Sequence, residues 1–370
     1  MIYRVELRDR DMNFITILDN RIKDIVFSFS PIGGCADFSF KALSKYCTEL
    51  NFGANYNVRI SMRNDATKNY DLIYQGRVEN IVNDINYSDE NIQIQGFGYQ
   101  SQLSDIVINA TYTSTEVSAI IKDLLDTYIV PNTDLTYDLA DLENTGFTPD
   151  TITFSYVPAI EAFEKLAEIT GNIEWGVDKN RKVYFKRRSD IANFFEPLGK
   201  YLSDFKINSS SREIVNRVIV IGAEVSGSKF TYVKDYAKSQ RKYKRRDKVI
   251  QNSAVTTNQV AEQLADAKYA AGKGMVDRGS FVYEKEFIWE TSLPVPLVKI
   301  QTREITYDEK AYDTFLYAGQ EPFRILKIKY KIDDSSRLSS NVDFGQKTPD
   351  IIEGIKQLEF RLNNVVQSGA

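Results

Sequence analysis

The sequence contains no histidine, and this absence removes several common kinds of catalytic site. Without histidine the chain has no Ser-His-Asp triad, no Cys-His dyad and no His-ligated zinc. Its two cysteines, Cys35 and Cys47, are twelve residues apart and do not form a Cys-x-x-Cys pair. Two cysteines are enough to form one disulfide, but nothing else in the sequence supports a bond between them, and we expect two free thiols.

Long apolar runs and an excess of positive charge are also missing. No run approaches the roughly 18 apolar residues of a membrane-spanning helix, and the first residues, MIYRVELRDRD, lack the apolar core of a signal peptide. The net charge of −4 gives the chain no overall basic character that would attract nucleic acid. We therefore expect no membrane insertion, and a protein folded in a cytoplasm or exported without a signal peptide.

The first 105 residues have the pattern of consecutive short strands. The length of 370 residues predicts two to four domains, and an aromatic content of 12% favours sheets and protein interfaces. Turn residues separate seven apolar or alternating runs, and this pattern predicts a closed barrel or a sandwich. We take the barrel as the fold of residues 1–105, the first β-barrel of the chain. The seven runs are Ile2–Leu7, Phe14–Leu18, Ile25–Phe29, Ala36–Ala42, Tyr56–Met62, Leu72–Ile81 and Ile92–Phe97.

Residues 106–198 change to a mixed pattern that predicts a compact α+β module. Thr113 and Glu116 have capping-box spacing before an apolar helical stripe that Pro131 ends. A polar loop to Pro149 and a strand then precede a second helix, which Pro158 opens. The remaining predicted elements are the strand Thr151–Val157, the helix face Ile160, Phe163, Leu166 and Ala167, and the hairpin Ile173–Val177 with Lys182–Lys186.

Residues 199–345 return to a β pattern, which leaves open whether the two β-rich segments are copies of one barrel. The stretch Tyr201–Gly222 is central to this pattern, because residues 218–221 are continuously apolar and indicate a strand covered on both faces. One interruption of the strands is expected, a basic loop followed by a helix that begins near Thr257. Further strands are predicted at Phe281–Ile288, Val298–Tyr307 and Phe323–Ile332.

The basic run in this interruption is the strongest local signal for binding. Tyr236 and Tyr243 lie among seven cations, which are Lys238, Arg241, Lys242, Lys244, Arg245, Arg246 and Lys248. One interpretation is a loop that follows phosphates and stacks bases on its aromatic rings. The other is a solvated loop, or a rim that meets an acidic protein face. The acidity of the whole chain favours the second, with Arg241, Arg245 and Arg246 as candidate partner contacts.

No group of residues supports catalysis or metal binding. Glu161, Glu164 and Glu168 share one helix face and raise the question of acid–base chemistry, but they lie opposite Phe163, which favours a solvated face. Asp65 and the Asp333-Asp334 pair have turn sequences, and the pairs Gly33-Gly34 and Gly272/Gly274 lack phosphate-loop spacing. We therefore predict no enzyme activity, no cofactor and no metal.

The last 25 residues, 346–370, predict an amphipathic helix over Asp350–Val366. Thr348 and Pro349 give a start signal, and Asp350 puts an acid in the first turn. The apolar residues have the spacing of a short coiled-coil seam, which is too short to be stable alone. We expect a docking or self-association element whose contacts are Ile351, Ile355, Leu358, Leu362 and Val365, although packing on the chain's own domain is the alternative.

Several segments, in this order, resemble the baseplate hub or tail-tip hub proteins of tailed phages and related contractile injection systems. GRVENIVNDINYSDENIQIQGFGYQSQLSD resembles the end of the first hub barrel, and the next two segments resemble the family's helix, helix-and-hairpin module. The last two resemble the start of the second barrel, with its Asn-Arg before a buried strand, and the helical return segment. The five segments are Gly76–Asp105, Ala110–Leu125, Val157–Lys186, Leu202–Gly222 and Ser239–Gly274.

The sequence departs from the family pattern in two places. The family often has glycine after the tyrosine of the return segment, whereas Lys244 follows Tyr243 here. The sequence therefore does not support the family's turn at this point. Enzymatic members carry an added lysozyme, peptidase or spike repeat, and none follows residue 345 in this sequence. The resemblance therefore implies no transferred activity. Residues 1–75 and 281–345 fit the family only by their strand content.

The resemblance implies a structural homotrimer in the virion, at the tail baseplate or tip. Three copies with two tube-like barrels each match a six-fold tail tube, and the trimeric face accepts a central spike or fibre. Other implied partners are a distal tail protein and the tape-measure protein, and DNA passes through the ring without specific binding. The family also packs the interruption near residues 236–279 against the module at 106–198.

Two other classes of function are compatible with the sequence. A β-rich, tyrosine-rich chain also suits a receptor- or glycan-binding module of a phage tail, which predicts an exposed aromatic cleft and binding by the isolated protein. A polysaccharide-cleaving enzyme with paired carboxylates is the third.

Overall fold

The fold is mainly β, as predicted, with short helices between runs of strands. The computed structural model describes residues 3–345 except 19–20, 44, 46–52, 64–66, 87–88, 150, 171–172, 188–193, 198–201, 213, 226, 252–254, 256–257, 259–260, 263–264, 267, 270–275, 284–296, 302–304, 308–309, 313–322 and 334–336. The predicted helix over 350–366, with its five candidate contacts, lies outside the described residues, as do Asp65, Gly272 and Gly274.

The first β-rich segment contains the seven predicted strands. Their apolar residues alternate as expected, and in β1 the side chains of Tyr3, Val5 and Leu7 are buried while those between them are partly exposed. The strands are β1 Tyr3–Arg8, β2 Phe14–Ile17, β3 Ile22–Ser30, β4 Gly33–Leu43, β5 Asn57–Arg63, β6 Tyr70–Asn86 and β7 Asp89–Gly98.

The α+β module has the predicted two helices and hairpin, together with additional short elements. A 3₁₀ turn at Tyr99–Ser101 leads into it, and the first long helix continues through a π turn at Leu125–Ile129 and a 3₁₀ turn at Val130–Asn132. Its elements are α1 Gln102–Asp105, β8 Val107–Thr113, α2 Val117–Leu124, β9 Thr136–Leu142, β10 Thr151–Pro158, α3 Ala159–Thr170, β11 Ile173–Val177 and β12 Lys182–Arg187.

The start of α2 differs from the predicted capping box. Thr113 belongs to β8, and the N-cap of α2 is Glu116, whose carboxylate accepts from the backbone N–H groups of Ser118 and Ala119. The same carboxylate accepts from Thr145, so it ties the loop after β9 to the helix start. The capping-box prediction was wrong because a glutamate at the cap itself satisfies the first helical N–H groups.

The second β-rich segment contains more strands than the sequence predicted. A three-stranded sheet of β16, β15 and β17 is separate from the large sheet, and α4 connects β16 to β17. The elements are β13 Phe194–Pro197, β14 Leu202–Ser210, β15 Arg217–Val225, β16 Ser228–Asp235, α4 Ala237–Tyr243, β17 Asp247–Gln251, β18 Val276–Tyr283, β19 Leu297–Gln301, β20 Ile305–Tyr307, β21 Lys310–Tyr312, β22 Phe323–Ile332 and β23 Leu338–Gly345.

The two β-rich segments share one sheet and one hydrophobic core. β22 pairs antiparallel with β3, and the strand order runs β14-β18-β23-β22-β3-β4-β7-β6-β5-β1-β2. Buried residues of both segments, such as Phe27 and Tyr330, belong to the same core cluster. Among the described strands no pair joins the ends β2 and β14, so this path is open and the closure expected of each barrel is not seen there.

The module packs on the first segment through a parallel contact of glycines. Gly176 and Val177 of β11 pair with Gly33 and Gly34 of β4, and a Cβ added at Gly34 would lie 2.0 Å from the carbonyl oxygen of Val177. Gly33 and Gly34 have φ angles of +97° and +83°, which favour glycine. The Gly33-Gly34 pair is therefore a close contact between backbones.

β15 is buried on one face, whereas the sequence predicted a strand covered on both. Val218 and Val220 are fully buried, but Ile219 and Ile221 between them are partly exposed. The buried face packs with Ile250 and with helical residues around Ala261 and Ala265 in a core of its own. A three-stranded sheet with a cover on one side leaves its other side to solvent.

The interruption at 236–279 was expected to pack on the module at 106–198. In the described part of the chain, its core contacts are with β15 and β16. β17 pairs in parallel with β15 and is followed by helical residues over the same sheet. The packing of the interruption on the module stays a prediction.

Candidate partner interface

Asn216 holds the basic segment, residues 238–248, in place on the three-stranded sheet. Its side chain is fully buried, its Nδ2 donates to the carbonyl of Lys244 at 2.6 Å, and its Oδ1 accepts from the N–H of Arg246 at 2.7 Å. Its carbonyl accepts from the N–H of Tyr236 and from Nε2 of Gln240, both at 3.0 Å. The oxygen and the nitrogen of this buried side-chain amide each have a partner at the turn after α4, and the backbone carbonyl of Asn216 binds residues at the start of α4.

The turn after α4 requires an unusual backbone at Lys244. This residue has φ +63° and ψ 171°, a conformation that is almost restricted to glycine. With lysine and not glycine at this position, the turn is formed but strained. Its carbonyl is the one that Asn216 binds, so the strained conformation is held by a buried side chain.

The seven cations of the basic segment are all exposed. Arg245 makes a bidentate pair with Asp247, at 2.8 and 2.7 Å, and this pair lowers the pKa of Asp247. Lys242 lies 4.8 Å from the ring centre of Tyr243. The other five have no side-chain partner within the described residues, so Arg241 and Arg246 present their charge to solvent.

Tyr236 is engaged within the protein. Its ring stacks on Tyr269 with centroids 3.7 Å apart, and its hydroxyl donates to Asp266 at 2.7 Å. Lys234 pairs with Asp266 and with Glu262, both at 2.7 Å, and these partners raise its pKa. Burial opposes ionisation of Asp266, but hydrogen bonds from Lys234 and Tyr236 lower its pKa. The face of the Tyr236 ring that stacks on Tyr269 is therefore not available to a base.

The open face of the three-stranded sheet carries an apolar row between charged and polar rows. Ile219 of β15 is the register partner of Val233 in β16 and of Val249 in β17. Val233 is 41% exposed and Val249 is 46% exposed, and Ile219 is partly exposed. At the α4 end, Arg217 sits between Asp235 and Asp247. An apolar centre with a charged border is the composition of a protein contact surface.

The carboxylates considered for catalysis lie on the surface of α3. Glu161 and Glu164 are exposed while Phe163 on the other face is fully buried, as predicted; the side chain of Glu168 is outside the described set. Within the described residues, no cluster of Asp, Glu or Cys has the geometry to hold a metal ion. Asp333 accepts from the N–H of Arg337 at 2.9 Å, a turn role.

A shallow pocket of about 580 Å³ lies on the large sheet where β3, β4 and β7 meet β18, β22 and β23. Its charged lining residues are Asp24, Lys41, Lys329 and Lys331, and Lys41 pairs with Asp24 at 3.1 Å. Cys35 is a free, buried thiol, and burial raises its pKa to about 12, so it is un-ionised at neutral pH.

Arg241, Arg245 and Arg246 lie exposed on one surface segment. Their role as partner contacts stays a prediction. Sequence reasoning missed the apolar row of Val233, Ile219 and Val249, because β16 and β17 were not recognised as strands. It noted the Asn-Arg pair at 216–217 but not that this asparagine fixes the whole segment. No helix of the described chain has both the length and the apolarity to cross a membrane.

No protein-family model and no curated protein matches this chain. Solved structures do share its fold. A 43 kDa tail protein of prophage MuSo2 from Shewanella oneidensis is 14% identical, with a TM-score of 0.62 over 94% of this chain and 99% of that one. A tail protein from Neisseria meningitidis is 11% identical, with a TM-score of 0.62 over 95% and 99%. The prophage tail protein gp18 from Listeria monocytogenes is 12% identical, with a TM-score of 0.50 over 97% and 99%. The chain therefore has the fold of these prophage tail proteins along almost its whole length.

Proposed function

We propose that this chain is a structural subunit of a phage tail or of a related contractile injection system, located in the virion at the baseplate or tail tip. The observation that carries this proposal is the alignment of nearly the whole chain with two prophage tail proteins at a TM-score of 0.62. The site geometry agrees with it, since the charged groups of the candidate interface lie on the surface. The proposed role includes no hydrolytic activity.

The finer part of the proposal is a hub ring of three copies. The β3–β22 pair places the two β-rich segments of one chain side by side in one sheet. One chain then presents two neighbouring β units, and three chains present six, which is the number needed to meet a six-fold tail tube. This arrangement converts the three-fold symmetry of a spike into the six-fold symmetry of a tube.

The partners follow from this position. One face of the ring meets the tail tube or a distal tail protein, together with the tape-measure protein. The other face accepts a central spike or fibre, with the predicted helix over 350–366 as the docking element. DNA passes through the ring without specific binding, and the cations of the basic segment face protein.

A reconstruction of the particle that contains this chain tests the proposal. We expect three copies around the tail axis, between the last ring of the tube and the spike. One copy or six copies around the axis would contradict the hub. A particle without the chain in its tail, combined with binding of the isolated protein to host glycans, would identify a receptor-binding module instead.

Truncation after Gly345 tests the docking element separately. We expect loss of spike attachment or of the trimer while the monomer keeps its thermal stability, because the removed seam serves a partner. Unfolding of the monomer would show that residues 346–370 pack on their own domain. Clearing of a cell-wall substrate by the purified full-length protein, abolished by Glu161→Gln, would refute the absence of hydrolytic activity.

A further inference from the structure

Charge is distributed very unevenly along this chain. The basic segment 238–248 holds seven cations and one carboxylate, a net charge of +6. Residues 106–170 of the module hold eleven carboxylates and two lysines, a net charge of −9, although the whole chain carries only −4. One short basic surface and one acidic region thus coexist on the same molecule.

Among the described residues, the cations of the basic segment have no ion-pair partner in the acidic region. The only ion pair of the basic segment in the described part of the chain is Arg245 with Asp247. Lys238 and Arg241, three residues apart on α4, are exposed and have no partner among the described side chains. Their charge is therefore available to another molecule.

An apolar surface accompanies each charged one. On the basic side, α4 connects the ends of β16 and β17, and the row of Asp235, Arg217 and Asp247 lies between it and the exposed row of Val233, Ile219 and Val249. These cations and this row together are the basic face. It combines the two features of a protein contact surface, an apolar centre and a charged border.

The acidic region has an exposed apolar surface of its own, at the start of α3. Tyr156 is 76% exposed and Val107, the register partner of Pro158, is 52% exposed. Tyr156 occupies the bulge of β10 with φ +53°, a strained conformation that turns a large aromatic side chain to solvent. Glu161 and Glu164 follow at once, three residues apart and both exposed. Val107, Tyr156, Glu161 and Glu164 are the acidic face.

We propose that the basic face of one copy docks on the acidic face of a second copy. The contact pairs Lys238 and Arg241 with Glu161 and Glu164, and it covers the valine row and Tyr156. Because the two faces are different surfaces of one chain, the contact is heterologous and builds a ring when its rotation closes. The inference rests on the proposed ring of several copies and names the surfaces that join them.

Charge reversal in the full-length protein tests this contact, with the dissociation constant between copies measured by sedimentation velocity. We expect wild-type association that weakens between about 0.1 M and about 1 M salt, where the screening length falls from about 10 to about 3 Å. Lys238→Glu with Arg241→Glu weakens association at least about tenfold, and so does Glu161→Lys with Glu164→Lys. All four substitutions in one chain restore it to within about threefold, since the charges again match.

The matched control is Lys329→Glu with Lys331→Glu, the same charge change on exposed residues of the large sheet. It should leave association unchanged, and circular dichroism should show that every variant is folded. A wild-type monomer at all concentrations would overturn the proposal. So would a fourfold variant no better than either double variant, or double variants that associate normally.

Two further readouts separate this contact from DNA binding by the basic face and from the proposed hub. Duplex DNA binding that Lys238→Glu with Arg241→Glu abolishes, with unchanged association, would assign the basic face to nucleic acid and reject the proposal. Tails in which the double variants assemble normally as three copies would reject this contact but support the hub. Absence of the wild-type chain from tails would reject the hub, whatever the association in solution.

Discussion

Phe27 of β3 stacks on Tyr330 of β22, with ring centroids 4.8 Å apart and planes 14° from parallel. The two residues are also register partners across the β3–β22 pair, and both are buried. This contact joins strands from nearly opposite ends of the chain. We therefore expect the two β-rich segments to unfold as one cooperative unit, because neither can lose its half of the core without exposing the other half.

The first prediction is that Tyr330→Ala destabilises both β-rich segments together. Removing a buried aromatic ring should lower the free energy of unfolding by about 3 kcal/mol or more. Urea unfolding should show the large sheet melting in one transition at a lower midpoint. Lys329→Ala, at the exposed neighbouring position, should change stability by less than about 0.5 kcal/mol. Two sheet transitions, only one of them shifted, would show that the segments are independent.

The second prediction is that Lys244→Gly stabilises the protein. Lys244 occupies a backbone region in which a side chain costs about 1–3 kcal/mol. Glycine relieves that strain but loses about 0.5–1 kcal/mol of chain entropy on folding, so we expect a net gain of about 1 kcal/mol. Thermal unfolding measures it. The control Lys242→Gly, within α4, should instead destabilise by up to about 1 kcal/mol; equal effects of the two changes would contradict the strain.

The third prediction concerns Asn216, which both ends of the basic segment contact. Asn216→Ala leaves the carbonyl of Lys244 and the N–H of Arg246 without their partner, and we expect a loss of about 2 kcal/mol. Amide exchange at Arg246 should become faster, while exchange in the large sheet should not. Asn208→Ala, at an exposed asparagine of β14, is the control. Unchanged exchange at Arg246 would show that the segment is held by other contacts.

The sequence predicted the first seven strands and the β11–β12 hairpin because their apolar residues follow the strand period. It missed β23 because one of its core positions is a serine. Ser340 is buried and donates to the carbonyl of Tyr283 at 3.1 Å, so a satisfied hydroxyl takes the place of an apolar side chain. A pattern based on hydrophobicity cannot register such a position.

β9 was missed for a related reason. Its residues are mostly exposed, and the strand exists because it pairs in parallel with β12, with Asp138 and Asp141 bound to Lys182 and Lys186. Tertiary pairing of this kind leaves little local signal in the sequence. The basic segment was predicted as an interface from its charge, but its neighbouring apolar row appears only when β15, β16 and β17 are placed side by side.

The fourth prediction is a pH dependence at Glu116. Burial opposes ionisation of this carboxyl, but hydrogen bonds from Ser118 and Thr145 outweigh it and lower its pKa. A group whose pKa is lower in the folded state stabilises the protein above its unfolded pKa, about 4.3 for glutamate. That stabilisation is lost as the pH falls through the lower pKa of the folded state.

Glu116→Gln should therefore lower stability near neutral pH by about 1 kcal/mol, the usual value of a lost helix cap. Its difference from the wild type should shrink as the pH is lowered below about 4, because the wild-type carboxyl then becomes protonated and can no longer accept at both oxygens. Thermal unfolding across this pH range measures the difference. The control Glu161→Gln removes an exposed carboxylate of α3 and should show no such convergence. A constant difference between Glu116→Gln and the wild type from neutral pH to pH about 3 would show that the charge of Glu116 does not hold the loop at Thr145 to the start of α2.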